Sequence, residues 1–431
     1  MSARSIGRRA FIAGSATLCA AASLPAGAFA PTALHERADD RPIVPRPTVT
    51  DLANDPASAA RIRRAYANMF AWSKEHADDP RSWPQQASIH SRAAARGETD
   101  PDYLIHGSYY FFPWHRAYLY FHERILAWHL TERTALDSTL RLPVWNWDAD
   151  STGLSDPTLY TAKTDASGAP NPLLHERTFR YFEPGDTKPF SALTFTGRDF
   201  FGYPPALDAS NNGAVENGGH ANVHVDIGGD MGSIHTAAND PVFFAHHANI
   251  DKIWAWWSSL PGAKATPSPG DWDRVVWTFT DWDGSVVAVR PADVRHHETA
   301  LRYSYARPES PLTGPEGATD YALLHSHARW YAPVEVRARV LSANRVSLKC
   351  LNIAVPGPGR YGIGAILPGE TQTQVLGWFT VFIHHGVKRA NAFLDVSDAR
   401  ATLLHPNGVR LALLGPGVTE LAVKTAILHI R

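Results

Sequence analysis

Histidine is the residue type whose spacing in this chain points to chemistry. His220 and His224 stand four residues apart, one helical turn, so both imidazoles can reach a single ion from one face. Taken alone, such a pair is more readily a surface or core pair. What adds weight is His246-His247, set in an apolar run with Phe243, Phe244, Ile250, Ile253 and Trp254. Imidazoles buried among such residues are costly unless their nitrogens find partners. A metal ion on one nitrogen and a protein oxygen on the other supply both. Neighbours on a helix point about 100° apart, so only one of the two faces a given site. His247 shares a face with Phe243 and Asp251 and is the ligand on this reading. His246 is expected to be hydrogen-bonded in the core, and Asp251 to brace the helix end or a neighbouring ligand. A second set lies upstream, at His90, His106 and His115. His122 shares a face with His115 but sits two turns on, about 10 Å along the axis, too far to share an ion. His122 and His129 therefore read as structural.

All six candidates are imidazoles, with no thiolate or carboxylate among them. That donor set suits copper, zinc, iron and nickel. Three ligands per ion leave positions open for a shared small molecule, and a three-histidine catalytic zinc is the alternative.

Stepping outward, helical patterns must carry these residues. Ala59, Ile62, Ala65 and Met69 recur at helical spacing from Asp55 on, until Trp83-Pro84 breaks the pattern. A helix over 85–96 carries His90, a turn follows over 97–102, and His106 falls in a short irregular piece. Pro113 opens a long helix over 114–131, with His115 in its first turn; proline is at home there because its missing N–H would be unbonded anyway. Residues 142–148 read as extended and 151–212 as coil with short helices. A helix over 216–225 places His220 and His224 on one face, and Asp240-Pro241 starts the last helix, to about 260. Beyond it, 272–289 alternates like strands with a turn at Asp283-Gly284, and Tyr303 and Tyr305 close this piece. Residues 306–318 are rich in Pro and Gly, and from 329 on β-patterned segments recur between turn signals. The expected organisation is a leader over 1–30, a mainly helical, loop-rich domain over 31–305, a linker over 306–328 and a small antiparallel β-sandwich over 329–431.

The leader is read from Arg8-Arg9-Ala10-Phe11-Ile12, a twin-arginine pattern, followed by a mild apolar run and two small-residue cleavage signals, Ala26-Gly27-Ala28 and Ala28-Phe29-Ala30. The run is too broken by Gly and Pro25 for a stable membrane anchor. Export by the twin-arginine route, to the periplasm or the outside, suits a protein that takes up metal before it crosses. Removing the leader removes three arginines and no acid, which takes the net charge from −1 to −4. That balance, without any long Lys/Arg block, argues against a nucleic-acid partner. Of the two cysteines, Cys19 lies in the leader, so the remaining Cys350 has no internal disulfide partner.

Several spaced motifs resemble one family in the right order. FFPWHRAYLYFHERIL (111–126) looks like the first-copper helix of the type-3 copper polyphenol oxidases, the tyrosinases and catechol oxidases. ENGGHANVH (216–224) and NDPVFFAHHANIDKIW (239–254) look like their second-copper motifs. DWDRVVWTFTDWDG (271–284), Tyr303-Ser304-Tyr305 and, more loosely, NAFLDV (391–396) resemble the plant-like branch with a C-terminal shielding domain; with its leader, the chain looks like a secreted bacterial member. The resemblance implies a four-helix bundle around two copper ions, the first held by His90, His106 and His115, the second by His220, His224 and His247. It places Glu216 where the family orients a water, and Ile234 where plant enzymes carry a bulky phenylalanine over the copper. Three departures stand out. No cysteine near His90 is available for a thioether to His106, the plant disulfides are missing, and Ala221 follows His220 where asparagine often accompanies strong monophenol hydroxylation.

The implied activity is oxidation of o-diphenols to o-quinones with dioxygen, with weaker monophenol hydroxylation as an open second activity. The sandwich is expected to cover the copper pair and keep the enzyme latent, with a loop such as Val355 to Tyr361 inserting a side chain. The rivals are a dicopper oxygen carrier, a zinc hydrolase on the same histidines, and a metal-free secreted binding protein. A copper chaperone is a compatible partner; the physiological phenol and the oligomeric state are open at this point.

Overall fold

The computed structural model describes residues 31–148, 158–178, 193–263, 269–307, 312–382, 388–415 and 425–431. The expected leader lies outside them. Among the described residues, five of the helices of the first half frame the histidines. Helix α1 (Pro56–Ser73) starts at Asp55, whose carboxylate accepts the Ser58 N–H, and it buries Ala59, Ile62, Ala65, Tyr66 and Met69. Helix α2 (Trp83–Gly97) is capped by Ser82. Trp83-Pro84, expected as the break before a helix over 85–96, belongs to that helix as its start, because proline in a first turn removes no internal hydrogen bond. Helix α3 (Phe111–Leu130) is buried along its whole length. Helices α4 (Ala221–Ile227) and α5 (Val242–Ser258) complete the set, with one π-helical turn, Val215–His220, leading directly into α4.

Helix α3 packs between α1 and α5. A buried charge cluster ties these helices together. Asp251 on α5 receives Arg116, the residue after His115, together with the Arg46 guanidinium at 3.2 Å and the hydroxyls of Tyr303 and Tyr305 at 2.6 and 2.5 Å. Arg46 also donates to Glu123 at 3.0 Å and lies flat over the Tyr303 ring at 3.7 Å. Burial works against the Asp251 charge, but Arg116 and Arg46 outweigh it and hold its carboxyl below the ordinary range. The expected bracing role of Asp251 thus has a concrete form: it joins the helix of His115, the helix of His247 and the tyrosine pair that closes this half.

The second half has its own apolar core. Its strands are β2 (Thr319–Ala322), β3 (Val346–Ala354), β4 (Gly359–Ile366), β5 (Gln374–Val381), β6 (Arg389–Asp395), β7 (Arg410–Leu414) and β8 (Thr425–Ile430); β1 (Ala209–Ser210) belongs to the helical half. They form a five-stranded sheet in the order β1-β6-β3-β8-β2 and a three-stranded sheet in the order β5-β4-β7. All pairings are antiparallel except β1 with β6, where Ala209 meets Arg389 across the two halves. Residues 319–326, which fall in the segment read as linker, form β2 and the strand Leu324–Ser326. Exposed side chains and nearby prolines hid these strands, since β2 gains its place only by pairing with β8 near the chain's end.

Candidate metal centre

Each histidine set is assembled from separate elements. His90 comes from α2, His106 from the loop before α3 and His115 from α3. The Nε2 atoms of His90 and His106 lie 3.3 Å apart, and one ligand atom from each of the three lies within 4.8 Å of the others. His115 turns its Nδ1 to the Phe111 carbonyl at 2.7 Å, which leaves its Nε2 for the centre. In the downstream set, His224 turns its Nδ1 to the Met231 carbonyl at 2.9 Å and its Nε2 to the Nε2 of His247 at 3.3 Å. Such a carbonyl on the outer nitrogen fixes the tautomer that points the other nitrogen inward. The two sets face each other: the rings of His115 and His247 stack at 4.3 Å and 5°, and those of His106 and His220 at 5.7 Å and 23°.

The donor set fits two metal ions. Among the described residues, no protein partner meets His115 Nε2 or either nitrogen of His220, the Nε2 atoms of His90 and His106 and those of His224 and His247 meet only each other, and all six side chains are buried. Burial pushes His115 down to about 3 and His224 to about 4, against the opposing pull of their backbone carbonyls. Burial and then the neighbouring imidazoles put His90, His106, His220 and His247 well below the usual histidine range. Neutral imidazole is the form that binds metal. With nitrogen donors only, in two facing sets, the clusters fit a dinuclear copper site.

His246 departs from expectation. Neither ring nitrogen has a partner among the described residues; the ring stacks on Trp147 at 5.6 Å and stands with His220, His224 and His247 in one group of possible donors. It is packed against the aromatic face of Trp147 rather than hydrogen-bonded. His122 and His129 are the structural residues expected. His122 meets the Tyr66 hydroxyl at 3.3 Å and stacks on Phe244 at 3.6 Å, and His129 meets the Arg81 carbonyl at 3.3 Å.

Glu216 lies in the π-helical turn, buried, with Oε1 accepting the Gly107 N–H at 2.6 Å. Gly107 follows His106 and has φ +67, a conformation that glycine adopts freely, so the bond anchors the tight loop that delivers His106. Burial raises the Glu216 carboxyl to about 8, with the Gly107 bond pulling the other way, and Oε2 has no partner among the described residues. Ala221 is buried and offers no polar atom. Ile234 lines a small cavity with His106, Leu104 and Tyr103, beside the upstream set.

Sequence reasoning missed the group that covers the centre. Phe382, just past β5, stacks on the His224 ring at 4.7 Å and 17°, with His220 at 6.1 Å and His106 at 6.5 Å. In the loop 355–361, expected to do this, Val355 and Tyr361 join the sandwich core, with Tyr361 donating to the Gly357 carbonyl, and Arg360 reaches across to Asp226 at 2.9 Å. Nothing local distinguishes Phe382 from any other apolar residue in a β-patterned run, so no signal in the sequence marked it.

Comparison with known proteins agrees with this geometry. Residues 80–199 and 191–260 match the family model described as the common central domain of tyrosinase. The latent form of a chloroplastic polyphenol oxidase from Prunus armeniaca is 32% identical over 293 residues, 57% of this chain and 46% of that protein. A chloroplastic polyphenol oxidase from Vitis vinifera is 34% identical over 266 residues, 53% of this chain and 42% of its own. The chain thus spans about half the length of the curated relatives it matches. The structure of latent apple tyrosinase superposes with a TM-score of 0.62 at 22% identity, covering 91% of this chain and 96% of that one, which shows a shared fold across both halves. Residues 80–260 thus match the central domain of tyrosinase, the facing histidine sets lie within them, and the two-part fold is similar to that of latent apple tyrosinase.

Proposed function

We propose that this protein oxidises o-diphenols to o-quinones with dioxygen at two copper ions, with weaker hydroxylation of monophenols. The observation that carries the reading is the pair of facing three-histidine sets, stacked through His115 and His247. His90, His106 and His115 hold one ion; His220, His224 and His247 hold the other. Copper bound there supplies electron transfer between the phenol and dioxygen. The protein's part is to exclude bulk water by burial, to keep the imidazoles neutral, and to hold a proton acceptor close by. Oε2 of Glu216 is the atom available to orient a water or take a phenolic proton. Ala221 offers that water no second hydrogen bond, which supports weak monophenol hydroxylation. Ile234 stands where the plant enzymes carry a phenylalanine, and on that resemblance its smaller side chain leaves the approach wider.

In the uncut chain, Phe382 occupies the approach and the enzyme is latent. The Arg8-Arg9 pattern supports export by the twin-arginine route to the periplasm or the outside, and fractionating cells for the activity tests it. Copper stoichiometry, with catechol and a monophenol assayed before and after limited proteolysis, tests the function. Reversible oxygen binding without quinone formation, even after cutting, indicates an oxygen carrier, and zinc in place of copper indicates a hydrolase.

A further inference from the structure

Phe382 does not reach the centre alone. Two residues earlier, Thr380 is held at two points by the helical half: its carbonyl accepts from Asn217 Nδ2 at 3.3 Å, and its hydroxyl bonds Asn222 Oδ1 at 2.6 Å. Asn217 adjoins Glu216, and Asn222 lies two residues after His220. In extended chain, alternate side chains share a face. Thr380 and Phe382 therefore face the helical half, while Val381 joins the sandwich core. The segment is thus read by its backbone, by a side-chain hydroxyl and by an aromatic ring laid against histidines of both sets. Phenylalanine has no ring oxygen, so this residue can fill the site without reacting. A phenolic side chain in the same frame would bring its oxygens to the same histidines.

We propose that the uncovered site takes a phenol carried within an extended peptide laid along the path of Thr380–Phe382, with Asn217 and Asn222 reading the residue two positions before the aromatic one. The proposal rests on the phenol-oxidase reading. Its further support is the state of the two asparagines. Both are buried at 2% and 1% exposure, and withdrawal of β5 takes their partners away. A small free phenol would fill the place of the ring only, whereas a peptide restores both hydrogen bonds. The reaction balances as it does for any catechol: each dihydroxyphenyl side chain gives up two electrons and its two hydroxyl protons. One dioxygen accepts the electrons and protons from two such side chains and leaves as two waters.

The full chain, loaded with copper and nicked by a glutamyl endopeptidase at the exposed Glu316, is the protein to test. Three substrates are compared: catechol, acetyl-Thr-Val-dihydroxyphenylalanine amide and its Ala-Val counterpart. The threonine peptide should exceed the alanine peptide about fivefold in kcat/KM, the worth of one net hydrogen bond, with the difference in KM. Both peptides should exceed catechol, and Asn222→Ala should erase the gap between them. Equal values for the two peptides, with catechol oxidised, overturn the peptide subsite and leave the oxidase reading standing. Failure to oxidise catechol at all overturns the oxidase reading itself. The peptide comparison needs no variant, so a misfolded Asn222→Ala does not blunt it.

Discussion

Replacing Phe382 with alanine should unmask the uncut enzyme. The side chain is 8% exposed, and its ring is the only part of the sandwich in ring contact with both histidine sets among the described residues. Burying a phenylalanine stabilises by about 2–3 kcal/mol, most of which alanine forgoes. At about 1.4 kcal/mol per factor of ten, docking of this edge weakens by roughly thirtyfold or more. The sandwich itself should stay folded and attached, because the pairing of β1 with β6, the Thr380 hydrogen bonds and the Lys349 ion pairs are untouched. A gap the size of a benzyl group then opens over His224, and a catechol ring is of that size. The assay is initial-rate oxidation of catechol by the uncut, copper-loaded chain, beside the same protein nicked at Glu316. The variant should be at least tenfold more active than the uncut wild type and should gain little on nicking. An uncut variant as silent as the wild type, with both active once nicked, would refute the assignment of Phe382 as the cover.

Four other outcomes follow from the same geometry. His220→Ala should bind one copper instead of two by elemental analysis and lose catechol oxidation; two tightly bound coppers would contradict its place in the second set. Glu216 has its proton affinity raised by burial from 4.5 to about 8, so between those values the folded state holds a proton that the unfolded chain has released. That group by itself lowers the stability of the metal-free protein as pH rises through the window, against the buried imidazoles, whose lowered proton affinity works the other way below 6.5; Glu216→Gln should remove its share, so stability should rise more steeply with pH in the variant than in the wild type in denaturant titrations. Arg46→Met strands the buried carboxylates of Glu123 and Asp251 and should cost about 3–5 kcal/mol, read as a drop in Tm and in the denaturant midpoint. Lys349 Nζ joins Asp199 of the helical half at 2.7 Å and Asp320 of β2, so Lys349→Met should loosen the sandwich and raise the activity of the uncut chain.

The candidate metal ligands were legible because their chemistry is local. Four-residue spacing sets His220 and His224 on one face whatever surrounds them, and an adjacent pair in an apolar helix must divide its directions, which is the ground for choosing His247 over His246. The helix start at Asp55 was legible, and the second helix was read from residue 85, two residues late, because Pro84 was taken as a break when it stands in that helix's first turn. Asp251 was marked as a brace by its spacing from His247, but its partners were not, since Arg46 and Tyr303 lie far away in sequence.

The sequence by itself determined which side chains are candidate metal ligands, the mainly helical character of the region around them and the β character of the C-terminal part. These follow from periodicity and donor chemistry within a few residues. Only the tertiary structure decided what meets what across the halves. It brought Phe382 over His224, bonded Thr380 to Asn217 and Asn222, tied Glu216 to the loop of His106, and recruited residues 319–322 into the sandwich. The physical reason is that an apolar ring or an asparagine carries no mark of its partner. Its role is set by the surface it meets after the chain has closed on itself.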